Sequence, residues 1–449
     1  MPTPGDEMAR LTVITGEVHS VRASAVEMAR RLGDDGHVVD VIAPEGVPDD
    51  LRSVGVPIHE RTAPTSPPPP GGLALRGVHD RRREAVEILV DDDLAALLDD
   101  RDPDLVLIDA ELSATVLNVL ATDRRVALFT TFQGLHRDLT VPPAHTGLVP
   151  DPSNRSVRRR VLGRWARFFL GGELRWARTW LGGRGDSQRS RLRRLTRRLG
   201  LPADTLGRFQ WLRPVGFPSL PVVEFNLAEF DLPRRDHPLQ HLVGSMVSTP
   251  RTRDDVEFDD QTSELLTRVE EARNAGRSIV YSSFGSFATS YRTDLLQRVV
   301  DATITERSWQ LVLGLGGIDE IPDGLTIPDD VITFAWAPQN RLLGLTDVAV
   351  IHGGHATVYE CIEHGVPMVV LPMTLDQPGY AARVEFHGLG LAGDGTTTSR
   401  DTAAMVRALV SRVLDEPGFG DAATDMAAAA HAARGNGILE STVRELLVF

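Results

Sequence analysis

His352-Gly353-Gly354-His355-Ala356-Thr357 sets two histidines, paired glycines and a hydroxyl in consecutive positions. Paired glycines allow a tight turn from a strand into a helix. The first amide N–H groups of such a helix, here around Ala356 and Thr357, have no partner inside it. They attract an anion, most often a diphosphate, and Gly354 shapes the turn that presents them. His352 would add a donor from the strand end and Thr357 a hydroxyl. Trp336 offers a flat face to a base, and the Ala337 backbone can read that base's edge. Gln339 and Glu360 can bind ribose hydroxyls, Glu360 lying two helical turns beyond His352 toward the same crevice. Asp376 beside Gln377 pairs a carboxylate with an amide, a combination able to hold neighbouring hydroxyls of a hexose.

These residues need a scaffold, and the local pattern supplies one. DVAVI (347–351) and MVVLP (368–372) are short, apolar, β-branched runs of the kind that form buried parallel strands. A helix from near His355 to Gly365 joins them. Upstream, SIVYSSFGSF (278–287), WQLVLGLG (309–316) and VITFAWAP (331–338) read as further strands, and a helix is expected over 401–414. The N-terminal half repeats the theme. LTVITG (11–16) precedes a loop EVHSVRAS and a helix ending at Gly36, and HVVDVIAP (37–44), DLVLIDA (104–110) and VALFTTF (126–132) are strands. APTSPPPPGG (63–72) reads as a mobile surface loop, and a helix is expected over about 80–99. Asp91-Asp92-Asp93 then reads as a solvated face. Residues 224–250 read as the crossing between domains, and the last helix is expected over about 421–446.

With these residues in place, the segment 336–377 resembles the nucleotide-sugar signature of the family 1, UDP-sugar-dependent glycosyltransferases. Trp-Ala-Pro-Gln, His352, the glycine turn, Glu360, Gly365-Val366-Pro367 and Asp376-Gln377 match it. His355-Ala356-Thr357 stands where the family has Trp-Asn-Ser. The resemblance implies an α/β GT-B fold of two facing Rossmann-like, doubly wound domains. The boundaries expected are 1–235 for the acceptor-binding domain and 236–430 for the nucleotide-sugar domain, with 431–449 as a helix packing back on the first. It also implies that Ser286 touches the diphosphate, and that a His–Asp dyad sits in two loops of the first domain. His19 and Asp109 fill those places, His19 as base and Asp109 as its orienting carboxylate. The family's His-x-x-Pro is absent here. An ungapped match puts Val21 at the histidine's position, and Glu17 is the alternative base.

Composition limits the partners. A chain of 449 residues, 42% hydrophobic and 24% charged, should form about two soluble domains. Its net charge of −14 argues against nucleic acid. There is no lysine, and Cys361 is the single cysteine, which excludes an internal disulfide. The opening MPTPGDEMAR lacks an apolar signal core, so a cytoplasmic location is expected. Residues 155–198 read as helices in which Trp165, Phe168, Phe169, Leu170, Trp176 and Trp180 alternate with arginines. That pattern suits either contact with an anionic membrane or aromatics packed on the first domain around an apolar acceptor pocket.

The reading that results is an inverting hexosyltransferase. It takes a hexose, glucose first, from a UDP-sugar to a hydroxyl of a lipophilic small molecule, with no cofactor and no metal. A dTDP-sugar is an alternative donor. A GT-B-fold nucleotide-sugar epimerase and a non-catalytic nucleotide-binding subunit remain as rival functions.

Overall fold

The computed structural model describes residues 8–62, 85–151, 153–182, 186–207, 215–247, 259–285, 292–318, 321, 323–396 and 398–448. The first sheet contains β1 (Arg10–Ile14), β2 (Val38–Pro44), β3 (Ile58–Arg61), β4 (Leu105–Asp109), β5 (Val126–Thr130), β6 (Val222–Glu224) and β7 (Gln240–Leu242). Their spatial order is β3-β2-β1-β4-β5-β6-β7. The second contains β8 (Ser278–Ser283), β9 (Trp309–Gly314), β10 (Ile332–Phe334), β11 (Val348–Ile351), β12 (Met368–Val370) and β13 (Gly390–Ala392), ordered β10-β9-β8-β11-β12-β13. The strand pairings are parallel. Strands such as LVLID, VALFT and VAVI are buried along their whole length, as expected when both faces of a parallel sheet are covered by helices.

The covering helices in the first half are α1 (His19–Asp34), α2 (Asp49–Arg52), α3 (Asp92–Arg101), α4 (Ser113–Leu120), α5 (Arg155–Gly182) and α6 (Gln188–Arg198). Those in the second are α7 (Asp260–Asn274), α8 (Thr293–Thr303), α9 (Gln339–Leu343), α10 (His355–Glu363), α11 (Gln377–Phe386), α12 (Ala403–Asp415), α13 (Pro417–Gly435) and α14 (Ile438–Val448). Two apolar cores flank each sheet. One core of the first sheet joins Leu11, Val13 and Phe129 to Leu439, Val443 and Leu446 of α14, so the last helix packs on the first domain.

Several expectations change. β7 lies past the boundary expected at 235/236 and completes the first sheet. The stretch read as a crossing at 224–250 is instead a finger and a return. Leu227 and Phe230 plug into a core of the second domain before the chain comes back to β7. The single last helix is two, because Gly437 takes a left-handed φ of 62° between α13 and α14. A separate helix starts at Asp92. Asp91 caps it by accepting from Leu94 N and pairs with Arg61 at 2.6 Å, so Asp91 is buried rather than solvated. The tract 63–72 and residues 80–84 lie outside the described residues.

Candidate active site

In two parallel sheets every strand ends at the same edge, and here the two edges face each other. From the second sheet, β10 runs into Trp336 and Ala337, β11 into His352, and β12 leads through a loop to Asp376. From the first, β1 leads to His19 and β4 ends on Asp109. Ring centroids of His19 and Trp336 lie 6.3 Å apart across the cleft, edge to face.

The glycine turn after β11 is fixed by what surrounds it. Gly353 has φ 82°, and a Cβ there would lie 2.7 Å from Val370 Cγ1. A Cβ on Gly354 would come within 2.4 Å of His352 Nε2. The turn thus folds against the imidazole, with Gly285 on the other side, where a Cβ would stand 3.5 Å from His352 Cε1. α10 begins immediately after Gly354, and no side chain caps it. The amides of Ala356 and Thr357 therefore open onto the cleft, beside His352. Burial pushes the His352 imidazole down to about 4, so the ring is neutral at pH 7. Ser286 lies outside the described residues.

The residues assigned to the nucleoside form a relay. Tyr281 OH donates to Gln339 Oε1 at 2.9 Å, and Gln339 Nε2 donates to Glu360 Oε2. Gln339 is thus occupied in holding Glu360. Trp336 is 58% exposed, and it covers Gly317, where a Cβ would touch its ring at 3.1 Å.

Asp376 and Gln377 play unequal parts. Gln377 Oε1 accepts from Met373 N at 2.8 Å and Thr374 N at 3.0 Å, so its carbonyl shapes the loop and its amide nitrogen is the end that can face a ligand. Asp376 follows Leu375, a non-glycine residue at φ 55°, a strained conformation that turns the chain into α11. Burial pushes the Asp376 carboxyl up to about 7, and the negative charge of Glu111 on the opposite domain adds to the shift. Glu111, next but one to Asp109, carried no sequence signal beyond its place after a strand.

On the first domain, α1 starts at His19 itself, so the loop expected over 17–24 is reduced to a short turn. Arg22 holds that turn from inside the helix. Its guanidinium donates to the carbonyls of Gly16 (3.3 Å), Glu17 (3.4 Å) and Gly46 (3.1 Å). Asp109 is buried and accepts from Glu111 N at 2.9 Å, while a Cβ on Gly16 would lie 3.1 Å from Asp109 Oδ2. Glycine at 16 is what lets the turn before His19 sit on this carboxylate. Glu17 and Val21 separate clearly: Glu17 is exposed and Val21 is buried in the core.

The seam between domains contributes residues the sequence did not reveal. His355 Nε2 lies 2.8 Å from Phe225 O, a contact between the domains. Tyr359 OH accepts from Leu227 N at 2.8 Å, and Tyr380 OH lies 2.9 Å from Thr131 O and 3.0 Å from Asn226 Oδ1. Asp231 pairs with Arg383 at 2.6 Å and Arg234 at 2.5 Å. Burial alone would raise the Asp231 carboxyl, but these two guanidinium groups outweigh it and hold it below the usual carboxylate range. Every one of these partners lies more than a hundred positions away in sequence except Arg234, so no local pattern could disclose them.

Residues 254–428 match the family described as UDP-glucoronosyl and UDP-glucosyl transferase. The similarity to that family thus spans most of the second domain. The chain is 34% identical over 137 residues to the sterol 3-beta-glucosyltransferase of Pichia angusta, which is 29% of this chain and 11% of that protein. It is 29% identical over 202 residues to the zeaxanthin glucosyltransferase of Pantoea ananas, 44% of this chain and 43% of that one. The chain thus matches less than half the length of each of these relatives. The solved structure of the glycotransferase of kitacinnamycin superposes with a TM-score of 0.69 at 18% identity, covering 98% of this chain and 99% of that chain. The fold of both domains together is therefore GT-B.

Proposed function

We propose that the chain is an inverting UDP-glycosyltransferase that moves a hexose, glucose first, to a hydroxyl of a lipophilic small molecule. The observation that carries this reading is the facing of two rows. Trp336, Glu360, the start of α10 and Asp376 stand on one strand edge, and His19 with Asp109 on the other. A nucleotide sugar laid along the first row would have its diphosphate at the Ala356 and Thr357 amides and its hexose at Asp376 and Gln377. His19 would take the proton of the acceptor hydroxyl while that oxygen bonds to the anomeric carbon. The bond from that carbon to the diphosphate breaks on the opposite face, and the UDP leaves as an anion. The amides and the neutral His352 receive its charge with no metal in the step. Asp109 would orient His19 and stabilise the imidazolium, which later gives its proton to water.

UDP is preferred to dTDP because Glu360, held by Gln339, suits a ribose bearing both hydroxyls. The relatives named for sterol and zeaxanthin glucosylation favour a lipophilic acceptor. The partners proposed are thus a UDP-sugar and such an acceptor, with a peripheral membrane contact through residues 155–198 and no nucleic acid. The test is mass spectrometry of products from mixed UDP- and dTDP-hexoses with a sterol, a carotenoid diol and a phenol, with and without EDTA. Expected is an acceptor heavier by one anhydrohexose, from UDP donors, with EDTA present. Epimerised or intact donor with no glycoside would overturn the reading, and a strict metal requirement would overturn the metal-free step.

A further inference from the structure

α5 is apolar on two opposite sides. Val157, Val161, Trp165, Phe168 and Gly172 face inward, and Trp165 Nε1 donates to Val141 O at 2.8 Å. The aromatic residues that drew notice in the sequence thus mostly pack inward. The outer side carries a second stripe: Leu162, Leu170, Leu174 and Leu181 are 49%, 65%, 53% and 67% exposed. At about 100° per residue these four share one arc with Ala166 and Ala177, roughly opposite the buried row; Arg159 falls in the same arc, as does Glu173, whose charge is paired with Arg189 at 3.2 Å. Nothing among the described residues covers this stripe.

Charge says what does. The whole molecule carries −14, yet α5 holds eight arginines and one glutamate. Arg159, Arg167 and Arg178 are exposed beside the leucine stripe. At its far end Trp176 and Trp180 of α5 and Ser190, Arg193, Arg194 and Arg197 of α6 line a cleft of about 270 Å³. Trp176 Nε1 is buried there without a hydrogen-bond partner. A helix about 42 Å long with an apolar stripe, flanking cations and an indole–guanidinium cleft matches an interface between anionic headgroups and acyl chains. No described helix is long and apolar enough to cross a membrane, so this one would lie along its surface.

We propose that the outer face of α5, with the adjoining edge of α6, docks on an anionic lipid bilayer. The leucine stripe enters the headgroup boundary, and the flanking arginines hold lipid phosphates. This rests on reading 155–198 as a membrane-facing segment and not on the transfer reaction. It adds which side inserts and which lipid charge is recognised. The docked helix would also set the cleft near the bilayer. Its inner face packs on Ala144, whose carbonyl abuts Gly379 of α11, close to Asp376.

The experiment is cosedimentation of the full chain, without donor or acceptor, with vesicles of phosphatidylcholine alone or with one third phosphatidylglycerol. Expected is binding to the anionic vesicles at least about tenfold stronger than to the neutral ones, and weaker as salt rises. Leu170→Asp with Leu174→Asp should lower it about tenfold or more at an unchanged Tm. Arg159→Gln, Arg167→Gln and Arg178→Gln together should lower it and flatten its salt dependence, which keeps the test open if the leucine variant folds poorly. Equal binding to both vesicles would leave a membrane contact but overturn the anionic docking. No binding to either would overturn the membrane reading itself. A self-association broken by the leucine variant, with no vesicle binding, would assign the stripe to a second copy of the chain.

Discussion

Asp376 is a buried acid whose environment departs far from that of a free side chain. Its carboxyl titrates near 7 in the folded protein, against about 3.9 in an unfolded chain. An acid with a raised folded pKa costs no stability below its unfolded value. The cost grows from about pH 4 to about pH 7 and is then constant. Asp376→Asn should therefore raise the Tm of the ligand-free protein at pH 8 and leave it unchanged near pH 4. A hexose whose hydroxyls donate to the carboxylate would pull its pKa down and release a proton. Calorimetry at pH 7 in buffers of different ionisation enthalpy should show that release with UDP-glucose and not with UDP, and equal release with both would remove Asp376 from the sugar site. At the nucleoside end, Trp336→Ala and Glu360→Ala should each weaken UDP binding by about 1–3 kcal/mol. UDP affinity unchanged in both would end that assignment. His19→Ala should cut turnover by about 10²–10⁴ with UDP affinity intact, and Asp109→Asn should cut it too. Adding Asp109→Asn to His19→Ala should change little more, since the pair acts as one unit. The 6.3 Å approach to Trp336 makes the affinity measurement decisive. A loss of UDP binding instead of turnover would turn His19 into a contact to the base.

At the scale of elements, what was legible was what local pattern determines. Runs such as VAVI and LVLID are too apolar and β-branched to be anything but buried strands, and HGGH marks its own turn. β6, β7 and β13 are three residues each, too short for any periodicity to register. β3, IHER, is a polar edge strand that only its neighbour makes a strand. The start of α1 is hidden in the sequence because no capping side chain announces it; Val18 stands at the cap and Arg22 does the holding from within. The relay from Tyr281 to Glu360 joins three elements, so the sequence could name Gln339 and Glu360 but neither Tyr281 nor their dependence. The turn after β11 offers a test at this scale. Gly354→Ala would put a methyl against His352 Nε2, the end of a side chain that can move. The fold should survive with little change in Tm while UDP binding falls about tenfold or more. A variant that binds UDP normally would show that neither the turn nor His352 serves the diphosphate.

Across the whole molecule the two domains are interlocked rather than merely tethered. Leu227 and Phe230 from the first half sit in a core of the second, and Leu439, Val443 and Leu446 return the exchange. The seam closes tightly enough that a Cβ on Gly379 would fall 2.2 Å from Ala144 O. Gly379→Ala should therefore wedge the strand edges apart. Turnover should fall at least about tenfold while UDP, if it docks on the second domain as proposed, binds as before; full turnover would mean that the seam is not what aligns the two proposed rows. The exchange also bears on how the protein is made. Asp35 follows α1 and pairs with Arg444, 409 positions later. During synthesis the first domain leaves the ribosome with a slot in its core that α14 alone fills. It must wait, open and apolar, through the translation of an entire second domain, so the unfinished chain is most exposed to aggregation at the surface its own end finally closes.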